Sequence, residues 1–218
     1  MQDDETARVA TIVERLHRAY PAAACSLHFR TPLELLVATI LSAQCTDERV
    51  NAVTGRLFTT YRSATDYANA PPEELEAAIK PTGFYRSKAR HIQAACRLIG
   101  ERHNGEVPRQ MEQLTALPGV ARKTANVVLG NAYGVVEGVV VDTHVGRVAR
   151  RLGLTASADP LTVEADLMAG LPRTQWLSFA HQIIAHGRAF CKAQRPLCPT
   201  CPLNDLCPAS TAAAVAAT

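Results

Sequence analysis

Four cysteines crowd into residues 191–207, near the C-terminal end of the chain. Cys191, Cys198, Cys201 and Cys207 follow the spacing C-x6-C-x2-C-x5-C. Thiolates bind zinc and iron–sulfur clusters, and four on one short segment can wrap a single metal centre. Structural zinc sites usually pair two C-x2-4-C knuckles across a spacer. One central C-x2-C with a single cysteine on either side suits a cubane better, although spacing alone leaves zinc open. Pro196, Pro199, Pro202 and Pro208 stiffen the segment, and Lys192 and Arg195 lie between the first two cysteines. A basic loop pinned by a metal is suited to touching a phosphate backbone. Cys25, Cys45 and Cys96 are scattered and read as ordinary buried or half-buried thiols.

A second stretch with chemical content is Leu117-Pro118-Gly119-Val120-Ala121-Arg122-Lys123-Thr124-Ala125. Pro-Gly enforces a tight turn, and a helix begins at once. Its unpaired N–H groups make an anion site that grips phosphates without reading sequence. Lys123 falls in the first turn of that helix. The positive helix end and the neighbouring Arg122 both disfavour a charged amine there. With partial burial, they are expected to favour the neutral, nucleophilic form. Nineteen residues on lies Val139-Val140-Val141-Asp142-Thr143-His144. Asp142 reads as a helix N-cap. A carboxylate near an amine can also take protons and stabilise positive charge on a sugar. His144 reads as a structural hydrogen-bonding residue.

The elements that must hold these groups are helices. Thr31-Pro32-Leu33-Glu34 supplies an N-cap, a proline in the first turn and the Glu of a capping box, opening a helix to about Ser42. Further helices are expected from Asp47 to Thr60 and from Pro71-Pro72 through Leu75 and Ile79. Others run from a Ser87 cap to Gly105, after Pro108, after Pro118-Gly119, from Asp142 to Gly153, from Asp159-Pro160, and from about Thr174 to Phe190. Only Val135–Val141 resembles a strand, and it reads as a buried extended connector. The fold class is therefore all-α. Beyond Cys207 the Ala- and Thr-rich tail is expected to fray without function.

The acidic N-terminus lacks the order of a signal peptide. No stretch is long and apolar enough to span a bilayer, which places the chain in the cytoplasm, where disulfides are rare. The net charge of +3 is modest, but its distribution is uneven. Seven Lys or Arg residues lie between Lys80 and Arg109 against Glu101 and Glu106, and Leu167–Asn204 has no acidic residue. Segregation of this kind suits a phosphate-facing surface.

Taken together and in this order, the hairpin with Lys123, the Val-Asp142-Thr-His segment and the four-cysteine loop resemble the endonuclease III family of helix–hairpin–helix DNA glycosylases. Leu41-Ser42-Ala43-Gln44-Cys45-Thr46-Asp47 and Thr82-Gly83-Phe84-Tyr85-Arg86-Ser87-Lys88-Ala89 look like two further family segments. The resemblance covers about residues 8–208. It implies a six-helix domain over 25–136 carrying the hairpin. A cluster domain would be built from 1–24 and 137–218, with a [4Fe–4S] cluster on the loop 191–207. A DNA-binding groove would lie between them. It also implies excision of damaged pyrimidines flipped out of double-stranded DNA, with Lys123 attacking C1′ and a Schiff base cleaving the strand 3′ to the abasic site. Asp142 would be its partner.

Further implications are that Gln44 and Phe84 fill the gap left in the duplex, and that Gly119, Ala121, Lys192 and Arg195 contact DNA. The expected form is a monomer, nucleoid-associated in a prokaryote. Ala121 replaces the second glycine of the usual hairpin, Phe84 replaces an aliphatic wedge, and the Lys-to-Asp interval is one residue longer than typical. Two rival readings are a monofunctional mismatch glycosylase and a non-enzymatic helix–hairpin–helix module with a metal staple.

Overall fold

The computed structural model describes residues 2–210; the Ala- and Thr-rich tail from 211 onward lies outside the described residues. Its elements are α1 Gln2–Ala19, α2 Pro32–Leu41, α3 Asp47–Thr60, α4 Ala64–Asn69, α5 Pro72–Ile79, α6 Tyr85–His103, α7 Met111–Thr115, α8 Arg122–Val128, α9 Thr143–Arg151, α10 Pro160–Gly170 and α11 Trp176–Ala189. No strand occurs among the described residues. The chain divides into two compact units, Cys25–Glu137 and Met1–Ala24 with Gly138–Thr218.

Side-chain caps set most helix starts. Thr31, Thr46, Asp142 and Asp159 each accept a hydrogen bond from a first-turn N–H, and each such cap contributes about 1 kcal/mol. Ser63 and Asp66 form a reciprocal capping box on α4. The box expected at Thr31 closes differently, because Glu34 Oε2 accepts from the Arg30 N–H at 2.5 Å, one residue before the cap.

The hairpin-bearing unit packs α2 and α6 through its centre. Eight of the ten residues of α2 are buried, so α2 is enclosed nearly all round. The buried face of α6 is Lys88, Ala89, Ile92, Ala95, Cys96 and Ile99, a 3.6-residue stripe with one charged member. This helix begins at Tyr85 and takes Phe84 as its N-cap without a side-chain bond. Ser87 is therefore not the cap, because the left-handed Phe84 already turns the chain into the helix. Next, α8 runs into a π segment, Leu129–Tyr133. The expected extended connector follows, and it buries Val139 and Val140.

In the other unit α11 packs against α1 and α9, and α9 also meets α10. Ile12, Leu16, Val145, Val148, Leu167, Phe179 and Ile183 are buried there. Gly187 permits a close pass, since a Cβ at this position would lie 3.1 Å from His144 Nδ1 and 3.2 Å from Arg147 Nη2.

Candidate functional site

The hairpin Leu117–Ala121 joins α7 to α8. Leu117 and Val120 are buried, and the Val120 N–H closes the turn onto the Leu117 carbonyl at 3.1 Å. Between them Gly119 has φ +77°, and a Cβ there would meet the His91 Cβ at 2.7 Å. Backbone conformation and space both demand glycine. Ala121 is the exposed N-cap of α8, extended and without a side-chain bond, and a helix start of this kind is where an anion is favoured. Lys123 is the second residue of α8 and is exposed. The expected partial burial of its amine is not found. The buried side of α8 is formed by Ala125, Asn126 and Val128, and Lys123 falls outside it.

Gln44 and Phe84 sit at two turns of the same unit. Gln44 has φ +53° in the turn Ser42–Cys45, closed by the Cys45 N–H onto the Ser42 carbonyl at 3.1 Å. Phe84 has φ +46° and ψ +28°, follows the left-handed Gly83, and is 69% exposed. Left-handed backbone at an L-residue costs about 1–2 kcal/mol, so a protruding phenyl ring held this way is doubly unfavourable in the isolated protein. Gln44, Phe84 and Gly119 all line one cavity of about 320 Å³, together with Ile40, Ala43, Ser87, Lys88 and His91. The structure thus gathers three of the expected DNA contacts in one place.

Asp142 belongs to the other unit. It is half-buried, and its Oδ1 accepts from the Val145 N–H at 2.8 Å. The cap uses one carboxylate oxygen and leaves the second for other work. His144 meets Arg147 Nη2 through Nδ1 at 3.1 Å, the structural role expected of it.

In the same unit the four cysteines line one cavity of about 200 Å³ whose remaining wall includes Val148, Leu152, Phe190 and Leu197. Burial pushes the Cys201 and Cys207 thiols up, and the other thiols of the loop push them further. A cationic cluster core relieves that repulsion, and a cavity of this size lined by four sulfurs fits a cubane.

Arginines fasten this loop. Arg151 donates to Cys191 Sγ at 3.3 Å, to the Lys192 carbonyl at 2.7 Å and to the Ala193 carbonyl at 3.0 Å. Arg147 Nε reaches the Cys191 carbonyl at 3.2 Å. From α1, Arg8 donates to the Leu206 carbonyl at 2.9 Å, and Arg15 clasps Asp205 with bonds of 2.5 and 2.9 Å. The Cys207 thiol donates to the Arg151 carbonyl at 3.2 Å, and the Leu203 N–H donates to Cys201 Sγ at 3.4 Å. Lys192 and Arg195 are exposed, and Arg195 has φ +51°.

Sequence reasoning missed Lys88, His91, Arg147 and Arg151. Lys88 had a signal: it stands in register with the apolar residues Ile92, Ala95, Cys96 and Ile99. The other three are polar side chains on helices, and their partners come from distant segments.

Residues 37–173 match the model of the HhH-GPD superfamily base excision DNA repair proteins. Residues 191–207 match the iron-sulfur binding domain of endonuclease III. The chain is 55% identical to endonuclease III of Synechocystis sp. over 205 residues, 94% of each protein. It is similar to a structure of a non-covalent endonuclease III–DNA complex, at 46% identity and a TM-score of 0.91, covering 96% of this chain and 98% of that one. It is also similar to a trapped endonuclease III–DNA covalent intermediate, at 47% identity and a TM-score of 0.89, covering 94% and 96%.

Proposed function

The chain belongs to the endonuclease III family within the HhH-GPD superfamily, and on that premise we propose that Lys123 and Asp142 carry its chemistry on damaged pyrimidines. As a member of that family it is a base excision repair DNA glycosylase with an associated abasic-site lyase, it acts on duplex DNA, and it carries a [4Fe–4S] cluster. Among the described residues no helix is long and apolar enough to cross a membrane. Our reading places the enzyme with the DNA in the cytoplasm, acting as a monomer.

The observation that carries the assignment is the exposed Lys123 amine at the head of the helix that follows the hairpin. Hairpin amides hold the phosphates while the lesion leaves the stack. Lys123 Nζ then attacks C1′, and the bond from C1′ to the base breaks. Opening of the sugar ring gives an iminium between Nζ and C1′. Loss of a proton from C2′ expels the 3′ phosphate oxygen and nicks the strand. Asp142 takes the proton that the attacking amine sheds and balances positive charge on the sugar. Gln44 and Phe84 occupy the gap in the duplex, and Gly119, Ala121, Lys192 and Arg195 hold the backbone.

Cys191, Cys198, Cys201 and Cys207 hold the cluster. When bound it would cross-link the loop and so fix the positions of Lys192 and Arg195. None of the bond changes above transfers an electron to or from the protein.

The test is a panel of duplex oligonucleotides, each with one modified base, scored separately for base release and strand scission. Release and scission of oxidised pyrimidines, with intact purines left alone, is the expected result. Base release with no scission at any lesion would favour the monofunctional alternative and remove Lys123 from the nucleophile's role.

A further inference from the structure

Lys88 is the charged member of an otherwise apolar helix face, and only 3% of it is exposed. Its ammonium donates to the Leu41 carbonyl at 2.8 Å and to the Thr82 carbonyl at 2.8 Å. Its own N–H donates to the Phe84 carbonyl at 3.1 Å. Leu41 is the last residue of α2, where unpaired carbonyls and the negative helix end both attract a cation. Thr82 is itself tied down, its buried hydroxyl donating to the Ile79 carbonyl at 2.8 Å.

One side chain therefore bridges two turns that are 47 and 6 residues away from it in sequence. Gln44 lies three residues beyond the first anchored carbonyl, and Phe84 two beyond the second. Both carry left-handed backbone angles. Burial lowers the tendency of the Lys88 amine to stay charged, with the Cys45 thiol the titratable neighbour opposing this. A buried ammonium held by neutral carbonyls is a poor stabiliser of a fold compared with a well-packed apolar side chain. Its value lies in fixing where its partners sit.

We propose that Lys88 is a positioning residue that locks the Ser42–Cys45 and Thr82–Phe84 turns into one rigid pair, so that Gln44 and Phe84 enter the duplex together. The inference rests on the reading of those two residues as gap-filling. A loose turn would let either side chain miss the gap, and a displacement of about 1 Å in a positioning group can cost roughly 100-fold in rate.

The experiment compares Lys88→Met, Lys88→Gln, Phe84→Ala and Lys88→Met/Phe84→Ala with the wild-type holoenzyme under single-turnover conditions. One substrate is a duplex with a thymine glycol opposite adenine; the other carries the same lesion in an unpaired bubble. Lys88→Met should stay folded and slow base release from the paired duplex about 10- to 100-fold. Most of that loss should disappear on the bubble, which needs no extrusion. Lys88→Gln, which keeps a hydrogen-bond donor, should fall between. The double variant should be slower than Phe84→Ala alone by clearly less than the full Lys88→Met factor, because only the part of that factor that acts through Gln44 remains to be lost.

Should Phe84→Ala prove as fast as wild type, the gap-filling reading itself fails. A slow Phe84→Ala beside a wild-type-like Lys88→Met overturns the Lys88 inference alone. Equal losses on duplex and bubble, additive losses in the double variant, or unfolding of both Lys88 variants also overturn it, leaving Lys88 as an ordinary element of the fold.

Discussion

At the scale of single residues, Phe84 shows how exposure and strain combine. An aromatic ring 69% exposed on a left-handed backbone gains little from the folded state and pays a conformational cost. Phe84→Gly should leave stability unchanged or raise it by up to about 1 kcal/mol, the relieved strain offset by glycine's added freedom in the unfolded chain. Base release should meanwhile slow about 10-fold, in line with loss of a stacking contact. Thermal or denaturant unfolding beside single-turnover kinetics checks both. A strongly destabilised variant would mark Phe84 as a packing residue. Lys123, Asp142 and the four cysteines stood out in the sequence because each sits in a short motif whose spacing suits the chemistry proposed for it. Lys88 was not read, because its partners Leu41 and Thr82 offer backbone carbonyls, which no residue type announces. The exposure of Lys123 was misjudged for a related reason, since burial depends on which neighbours pack beside the helix start.

Among the elements, the hairpin is the most tightly specified. Gly119→Ala should destabilise the protein by about 2–3 kcal/mol, from its φ of +77° and the 2.7 Å approach to His91 Cβ. Adding His91→Ala should not restore stability, because alanine keeps the offending Cβ; full rescue in a denaturant titration of the double variant would refute this packing. The cluster loop is built from the opposite material, with short 3-10 turns and arginine bonds to its carbonyls. Cys201→Ala should therefore lose iron, raise loop proteolysis and weaken DNA binding, measured by iron content, limited digestion and anisotropy. A variant without iron that resists protease like wild type would contradict a structural role for the cluster. The starts at Thr31, Asp142 and Asp159 were readable, since those side chains bond their own first turn, whereas α4 with its Ser63 cap was not read. The start of α6 was placed at Ser87 because Phe84 caps it by backbone shape alone, and the π segment Leu129–Tyr133 has no sequence signature of its own.

Over the whole molecule, a net charge of +3 conceals a basic run and an acid-free segment, so affinity for duplex DNA should fall steeply with salt. Neutralising Lys192 and Arg195 together should flatten the log–log salt slope by about one to two units. An unchanged slope would remove the cluster loop from the DNA contacts. The all-helical class was legible from capping and apolar periodicity, while the way distant segments fasten the loop, such as Arg8 and Arg15 on 202–206, emerges only in three dimensions. The central claim is that Lys123 is the covalent nucleophile, supported by Asp142. Asp142→Asn should slow the reaction by about 10²–10⁴-fold. The most direct measurement is borohydride trapping on lesion-containing duplex followed by peptide mapping. The adduct should fall on Lys123, and Lys123→Gln should lose both trapping and strand scission while still binding the lesion. An adduct on another amine, or a Lys123→Gln protein that nicks lesion DNA at a comparable rate, would contradict it.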